Sequence, residues 1–477
     1  MKRQSGILMH ISSLYGDYSI GTFGKSAFEF IDFLVDSGFS VWQVLPFTVT
    51  DEYNSPYKSF SAFAGNPYFI DPETLCSEGL ITKDDLNACK QNTPYACEFE
   101  RLGKERMPLL KKAYSNFKNQ DAVDEFMKKH PRLEAFCRFM TLREQNINKP
   151  WQEWESNEIT DTETLGTWKF IQYEFFKQWA KIKEYANSKG VSIIGDIPIY
   201  VSDDSCDVWE NKNLFQVNEK GYPSRVAGVP PDYFAEDGQL WGNPLYDWDE
   251  LKKTGYAWWK ERIDHALDMF DGVRIDHFRA IEAYWSVDAT EKTAKNGVWV
   301  KGPGIELIET IKEGHEDKLI IAEDLGDITD EVRDLVEKSG FPGMRVFQFG
   351  FLDGSDSIHM PHNYIRNSVA YSGTHDNNTL FGFLWESSDD VRKRALDYCG
   401  FAGGDWGGAT PLLLRAVFAS VSNLAIIPIQ DFLMYGSDTR INTPGVASGN
   451  WSYRVTKEQL TNADKEFFKS LNRIYRR

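Results

Sequence analysis

The stretch Val273-Arg-Ile-Asp276 is a short, mainly apolar segment that ends in a carboxylate, and Ile320-Ile-Ala-Glu323 repeats the pattern. Short runs rich in Val and Ile are typical of buried parallel strands. These two runs lie in segments 272–276 and 318–323, and six further segments resemble them: 6–11, 41–46, 191–196, 344–349, 369–376 and 425–431. Segments with helical periodicity lie between them. The sequence therefore predicts eight strands that alternate with helices.

This alternation predicts an α/β fold in which helices cover parallel strands. Eight units favour a closed (β/α)8 TIM barrel, with inserted mainly helical subdomains, over an open sheet. The insertions are expected because the spacing of the strands is uneven. We expect residues 1–50 to start the barrel, 51–189 to form an inserted helical subdomain, and 190–477 to complete the barrel with a further insertion at 203–254.

One of the predicted helices covers Lys25 to Ser37. Its pattern places Phe28, Ile31, Leu34 and Val35 on one helical face, which should pack against the barrel.

The composition restricts the class of ligand. The chain has 477 residues, and 53 Lys and Arg against 71 Asp and Glu give a formal net charge of −18. A chain this acidic is not expected to bind nucleic acid or an anionic membrane surface. Aromatic residues make up 14% of the chain, which fits either a large core or a groove whose rings pack against sugars. A neutral carbohydrate is therefore the more natural partner.

The cysteines and the N-terminus bear on location. The six cysteines form no Cys-x-x-Cys pair, so we expect free thiols in a reducing compartment. The apolar stretch near the N-terminus stops at His10, which is too early for the apolar core of a signal peptide. No run reaches the ~18 apolar residues that span a bilayer. We expect a cytoplasmic protein.

Acidic residues follow five of the predicted strands. In a barrel, the side chains at the carboxyl ends of the strands meet on one face, where barrel active sites lie. An alternative for any single acid is that it caps the following helix. The five acids are Asp196, Asp276, Glu323, Asp376 and Asp431.

The neighbours of these acids favour a site. Arg274 precedes Asp276 by two residues, so on a strand both side chains point to the same side, and the guanidinium would hold Asp276 ionised. His277 and His375 each stand beside one of the acids. Clustered carboxylates favour the chemistry of glycosidic bonds, which needs one ionised and one protonated acid. A divalent cation is the alternative, but the sequence contains no complete metal-ligand set and no phosphate-binding loop, so we expect no metal and no cofactor.

Three motifs carry a family resemblance. Asp271-Gly-Val-Arg-Ile-Asp-His-Phe-Arg279, Ile321-Ala-Glu-Asp-Leu-Gly326 and Ser372-Gly-Thr-His-Asp-Asn377 resemble the catalytic motifs of amylomaltases. These enzymes are 4-α-glucanotransferases, also called disproportionating enzymes, of the α-amylase clan. Ala280 and Asn378 depart from the pattern, where Gly and Asp are expected. Further segments fit the family in order along the chain: 55–57, 61–67, 195–201, 226–234, 241–246, 440–445 and 450–454.

The resemblance implies roles for individual residues. Asp276 matches the nucleophile, Glu323 the general acid/base and Asp376 the third acid, which grips sugar hydroxyls. The segment Val229 to Trp241 resembles a lid over the substrate groove, with Tyr233 and Phe234 among its apolar residues. The implied substrate-binding residues are Arg274, His375, Asp196, Tyr200, Ser55, Tyr57, Trp241 and Asn450.

The activity that the resemblance implies is retaining transglycosylation. The enzyme would move segments of α-1,4-glucans (maltodextrins, starch or glycogen fragments) to the 4-hydroxyl of glucose or another glucan. Retaining chemistry predicts that the carboxyls of Asp276 and Glu323 lie ~5–5.5 Å apart. An α-amylase-like hydrolase and a non-catalytic glucan-binding protein are the alternatives.

Overall fold

The computed structural model describes residues 3–50, 53–231, 236–353, 356–446 and 448–477. Eight parallel strands close into a barrel, in which each strand pairs with the barrel strands before and after it in the chain and the first pairs with the last. The predicted (β/α)8 barrel and its eight strands are confirmed. The barrel strands are β1 (Gln4–Leu8), β2 (Val41–Gln43), β3 (Ser192–Ile197), β6 (Gly272–Ile275), β9 (Leu319–Ala322), β10 (Gly343–Val346), β11 (Ser368–Tyr371) and β12 (Leu424–Pro428).

The pleat of the strands decides which side chains enter the barrel. Alternate residues of a strand point to opposite faces, so positions two apart share a face. Ile194 and Ile321 point into the interior, and Asp196 and Glu323 follow them by two positions. The acids therefore continue the interior rows at the carboxyl ends of the strands. The interior is filled by Leu8, Val41, Ile194, Ile321, Met344, Val346, Val369, Tyr371, Leu424 and Ile426.

Helices cover the outer surface of the barrel and fill the first insertion. In chain order they are α1 (Lys25–Asp36), α2 (Pro72–Ser77), α3 (Lys83–Ala88), α4 (Phe99–Asn116), α5 (Gln120–Lys129), α6 (Pro131–Gln145), α7 (Thr162–Ser188), α8 (Cys206–Glu210), α9 (Trp248–Lys253), α10 (Ala257–Met269), α11 (Ile305–Lys312), α12 (Asp330–Ser339), α13 (Phe347–Asp353), α14 (Leu380–Glu386), α15 (Asp389–Tyr398), α16 (Thr410–Ala419), α17 (Ile429–Phe432), α18 (Lys457–Thr461) and α19 (Lys465–Tyr475).

Helix α1 forms where the sequence predicts it, but its buried face is rotated. Phe30 packs edge-on against Trp42 at 5.0 Å between ring centroids, and Phe33 packs against Phe432 at 5.2 Å. This turns the apolar stripe towards Phe30 and Phe33, and Val35 is left 41% exposed. The predicted face is therefore wrong at Val35.

The long helix α7 joins the first insertion to the barrel. Near its start, Trp168 Nε1 donates a hydrogen bond to Glu144 of α6 at 2.7 Å. Near its end, Trp179 packs against Phe47 beyond β2 at 4.7 Å, and its Nε1 donates to the carbonyl oxygen of Met269 at 3.0 Å. The division of the chain at residue 189 stays a prediction, and the same helix serves both parts.

A second sheet was not expected from the sequence. Two loops that follow barrel strands supply four antiparallel strands, which pair in the order β5-β4-β7-β8. The first loop follows β3 and supplies β4 (Arg225–Val229) and β5 (Gln239–Pro244). The second follows β6 and supplies β7 (Ala283–Asp288) and β8 (Val298–Lys301). Tyr233 and Phe234 of the expected lid lie outside the described residues.

Two further observations concern the helices and the cysteines. Within the described residues, no helix combines the length and the apolar character that crossing a bilayer requires. All six cysteines are free thiols, as expected.

Candidate active site

Arg274 is the buried centre of the site. Its Nη1 donates to Asp196 Oδ1 at 2.9 Å and Oδ2 at 2.8 Å, and its Nη2 donates to Asp276 Oδ1 at 2.7 Å. Burial opposes the charge of the guanidinium, but the two carboxylates hold the pKa of Arg274 well above its ordinary value. A permanent cation therefore joins the ends of β3 and β6, and it donates a hydrogen bond to Asp276.

Tyr57 closes one side of this pair. Its hydroxyl donates to Asp196 Oδ2 at 2.7 Å, and its ring stacks on His375 with centroids 5.0 Å apart and 13° between planes. Trp451 packs against both rings, at 5.9 Å from Tyr57 and 6.0 Å from His375. The structure thus brings residues from the ends of β2, β3 and β11 together in one aromatic and polar wall.

Glu323 is held by backbone amides. His277 N donates to Glu323 Oε2 at 2.6 Å and Leu325 N donates to Oε1 at 3.0 Å. His277 reaches this position because its backbone is left-handed, with φ +48°. Burial raises the pKa of Glu323 from 4.5 to about 8, and the nearby Asp276 adds to this while Arg274 and the amide of His277 oppose it. At neutral pH Glu323 is therefore mainly protonated.

Asp276 and Glu323 thus have opposite environments. The side chain of Asp276 is 28% exposed and bonded to a cation, whereas Glu323 is buried beneath the turn at His277. A pair of carboxyls of which one is ionised and the other protonated is what glycosidic-bond cleavage requires.

Asp376 lies at the open side of the site, with 44% of its side chain exposed. His375 Nε2 lies 3.2 Å from Asp376 Oδ2, and Asn442 Nδ2 donates to Oδ1 at 2.6 Å. Arg440 Nη2 also donates to the backbone oxygen of Asp376 at 3.0 Å. Enclosure in the cleft opposes ionisation, but His375 and Asn442 outweigh it and lower the pKa of Asp376 to about 2. Asp376 is therefore ionised at neutral pH.

Trp241 and Tyr200 form a second aromatic wall. Trp241 lies on β5, packs edge-on against His277 at 4.8 Å, and is 6.3 Å from the ring of Tyr200. Tyr200 in turn stacks on Tyr246 at 6.2 Å. Trp241, on the second sheet, therefore contacts His277, the residue that follows the candidate nucleophile Asp276.

Ser55 and Asn450 are bonded within their own loops. Ser55 Oγ accepts from Tyr57 N at 3.3 Å and so shapes the turn that presents Tyr57. Asn450 Oδ1 accepts from Thr443 N at 2.9 Å, and its Nδ2 donates to Val446 O at 2.7 Å. Direct contact of either residue with a sugar stays a prediction.

Asp431 does not belong to the cluster. Its Oδ2 accepts from Ser372 Oγ at 2.5 Å, its Oδ1 accepts from Leu380 N at 2.6 Å, and the residue is 1% exposed. The expectation that all five acids face one pit is therefore wrong for Asp431. It does not cap the following helix either: it accepts from the first residue of α14, a helix that lies earlier in the chain.

Sequence reasoning assigned no site role to Asn442, Arg440 or Trp451. They lie on the loop after β12, far along the chain from any strand end, so the pattern of strand-end acids gives no signal for them. Two segments of this loop, 440–445 and 450–454, fit the family, and of their residues only Asn450 has a substrate-binding role implied by the resemblance.

The described residues hold no group of three or more His, Cys, Asp or Glu side chains placed to bind a metal ion. The acids instead take their hydrogen bonds from Arg274, Asn442 and backbone amides.

Comparisons with known proteins show the family of the chain. The family model described as 4-alpha-glucanotransferase matches residues 9–461. A 4-alpha-glucanotransferase of Clostridium butyricum is 45% identical over 494 residues, which cover 98% of this chain and 100% of the relative. One of Streptococcus pneumoniae is 44% identical, covering 100% of this chain and 98% of the relative.

A solved structure agrees equally well. The amylomaltase from Streptococcus agalactiae, in complex with acarbose, has a TM-score of 0.97 at 41% identity, and each chain covers 100% of the other. The resemblance seen in the motifs is confirmed, and it extends over the whole length of these proteins. The chain belongs to the 4-alpha-glucanotransferase family.

Proposed function

We propose that the chain transfers segments of α-1,4-glucans to the 4-hydroxyl of glucose or of another glucan by a retaining double displacement. The observation that carries the mechanism is the contrast between the two central acids. Arg274 donates a hydrogen bond to Asp276, while burial keeps Glu323 protonated with a pKa of about 8. The proposal needs no cofactor.

In the first step the donor glucan is cleaved. Asp276 attacks the anomeric carbon, and the bond from that carbon to the glycosidic oxygen breaks. Glu323 gives its proton to the departing oxygen, so the reducing-end fragment leaves as an alcohol. The rest of the donor stays as an ester on Asp276, and Glu323 is left as a carboxylate.

The second step reverses these roles. The 4-hydroxyl of the acceptor loses its proton to Glu323 and attacks the anomeric carbon, while the bond to Asp276 breaks. Each cycle thus inverts the anomeric centre twice and returns both acids to their starting states. Water would take the place of the acceptor in hydrolysis, so the outcome depends on how well the acceptor is positioned.

Arg274 serves both steps through Asp276. The Nη1 nitrogen of Arg274 donates to both oxygens of Asp196, and the hydroxyl of Tyr57 donates to Asp196 in turn. The guanidinium therefore cannot follow Asp276 if the carboxylate turns, and it holds the attacking oxygen in one direction.

The remaining residues bind the sugars in this proposal. Asp376 and His375 offer an acceptor and a ring nitrogen for sugar hydroxyls, and Trp241 and Tyr200 offer apolar surface to a sugar ring. Ser55 and Asn450 act through the loops that they hold. The family favours these roles, and the hydrogen bonds described above support them.

We further propose that the protein works in the cytoplasm. Six free thiols support this location, because oxidising compartments favour disulfides.

The activity can be tested with maltotriose as the only substrate. We expect glucose and a ladder of longer maltodextrins, with the number of reducing ends almost constant, because each transfer makes one glycosidic bond for each bond broken. A steady rise in reducing ends without longer products would overturn the proposal in favour of a hydrolase.

A further inference from the structure

Two tryptophans form an aromatic pair, of which Trp385 is exposed and Trp406 is half-buried. Trp385 is 65% exposed at the end of α14, and its ring lies edge-on to that of Trp406 with centroids 5.8 Å apart. An exposed apolar patch can mark a site of interaction. Neither ring takes part in the mechanism above. We call these two residues the tryptophan pair.

Arg392 makes the pair rigid. Its guanidinium carbon lies 4.1 Å from the centroid of the Trp406 ring, so the cation stacks on this side chain. Its Nε donates to Leu384 O at 2.6 Å, and its Nη2 donates to Trp385 O at 3.1 Å. The side chain of Arg392 is 13% exposed. A buried arginine that holds the backbone of one tryptophan and the ring of the other fixes the surface before any ligand arrives.

Hydrogen bonds join the residue next to Trp385 to the loop that carries Asp376. Glu386, next to Trp385, accepts a hydrogen bond from Asn378 Nδ2 at 2.8 Å and another from the hydroxyl of Ser437. Asn378 follows Asp376 by two residues, and Ser437 opens the turn that leads to Asn442. Trp385 is the sixth residue of α14, so its backbone stands about 8 Å along the helix from the first residue, which follows Asp376 by four positions. The pair therefore lies close to the loop that carries Asp376.

We propose that the tryptophan pair binds α-1,4-glucan outside the catalytic cleft and holds long chains at its rim. The flat rings suit the apolar faces of glucose units, as in other aromatic–sugar contacts. Arg392 is paired with the carboxylate of Asp389 at 2.6 Å, so this cation is already neutralised and does not favour an anionic ligand. The other oxygen of the exposed Asp389 carboxylate can accept a hydrogen bond from a hydroxyl. The identity of the ligand rests on the proposed function, and the position of the site rests on the geometry alone.

The test compares Trp385→Ala and Trp385→Phe with the unchanged protein. Ile474→Ala is the matched control, because Ile474 is 52% exposed on the C-terminal helix, whose neighbour Tyr475 bonds to Arg3 near the start of β1. Each protein is run by electrophoresis in native gels with and without amylose, and its kinetics are measured on maltotriose and on amylose. Thermal melting checks that each variant is folded, and sedimentation checks for dimers.

Trp385→Ala should be retarded less by amylose, with binding weakened about two- to tenfold, the range expected for one aromatic contact. The KM for amylose should rise by a similar factor, while kcat/KM for maltotriose stays unchanged. Trp385→Phe should keep most of the binding, and Ile474→Ala all of it.

Three results would overturn the inference. The first is that amylose retards Trp385→Ala as much as the unchanged protein, and the second is that kcat/KM falls equally for maltotriose and for amylose. The third result is that the substitution dissociates a dimer. The last result would assign the pair to a second copy of the chain. A protein that fails to disproportionate maltotriose contradicts the proposed function instead, and its retardation by amylose still reports on the pair.

Discussion

The raised pKa of Glu323 predicts how the activity depends on pH. An increase of the pKa from 4.5 to about 8 makes the carboxylate about 5 kcal/mol less stable relative to its protonated form than it is in water. At pH 7 about 90% of the side chains then carry the proton, against about 0.3% at the ordinary pKa. Burial thus raises the amount of competent acid about 300-fold. We expect kcat/KM for maltotriose to fall tenfold for each pH step of one above about 8.

Substitution Glu323→Gln separates the two roles of this residue. The single amide oxygen can accept from only one of the two backbone amides, that of His277 or that of Leu325. The variant has no acidic proton to give, so turnover of maltotriose should fall by about 10²–10⁴-fold. A glycosyl fluoride donor needs no such proton, because fluoride leaves as an anion. The variant should therefore release fluoride in a burst of one equivalent per enzyme and then stall, since no base remains for the acceptor.

The assay is rapid-quench measurement of fluoride, with mass spectrometry of the glycosylated protein. Asp276→Asn is the matched control, since it keeps the shape of the site but should give neither burst nor adduct. The assignment is refuted if Glu323→Gln keeps more than a tenth of the wild-type turnover of maltotriose, or if it gives no burst. Loss of the burst with the fold intact would mean that Glu323 does not act as the acid.

Three further predictions concern the surroundings of the acids. Tyr57→Phe keeps the ring on His375 but removes the hydrogen bond to Asp196, and steady-state kinetics should show kcat/KM about tenfold lower or worse; an unchanged value would mean that Arg274 alone fixes Asp196. Asn442→Ala removes a donor that lowers the pKa of Asp376. A carboxyl whose pKa is lowered in the folded state stabilises the fold at a pH above its unfolded pKa, and this stabilisation is lost as the pH falls through its folded pKa. Urea titrations should therefore show the variant less stable at neutral pH, with the difference from wild type shrinking as the pH falls from 3.8 towards about 2; a difference that does not depend on pH would contradict this. Activity should survive dialysis against EDTA, because Arg274 already supplies the cation beside Asp276, and loss of activity that calcium restores would show a metal requirement.

The barrel could be predicted because its strands are locally marked. Each is a short apolar run between loops, and β6 and β9 also end at the acids that form the site. The arginine two residues before Asp276 could be placed on the same face by the period of a strand alone. The prediction is wrong at Val35 of α1. This helix has several apolar residues, so contacts with neighbouring aromatic rings decide which of its faces is buried.

The second sheet and the support of Asp376 could not be predicted in this way. Strands β7 and β8 lie between two barrel strands, and three of the four residues of β8 are exposed, so β8 resembles loop sequence. Asn442 acts on a residue 66 positions earlier in the chain, and such a contact becomes visible only when the loops of the barrel are assembled. Asp431 shows the reverse case, since an acid at a strand end can serve the backbone of a neighbouring loop.

The continuity of α7 constrains how this chain can be shortened or divided. The helix is 27 residues long, starting among the helices of the insertion and ending against Phe47 and the loop before β6. A truncation that excises the insertion at its sequence boundaries would also remove the helix that connects β2 to β3. Because one uninterrupted set of backbone hydrogen bonds crosses from one part to the other, the two parts should unfold together in a single calorimetric transition. A viable deletion would have to keep the second half of this helix and rejoin it to β2, so the smallest self-sufficient version of the barrel is larger than the spacing of its strands implies.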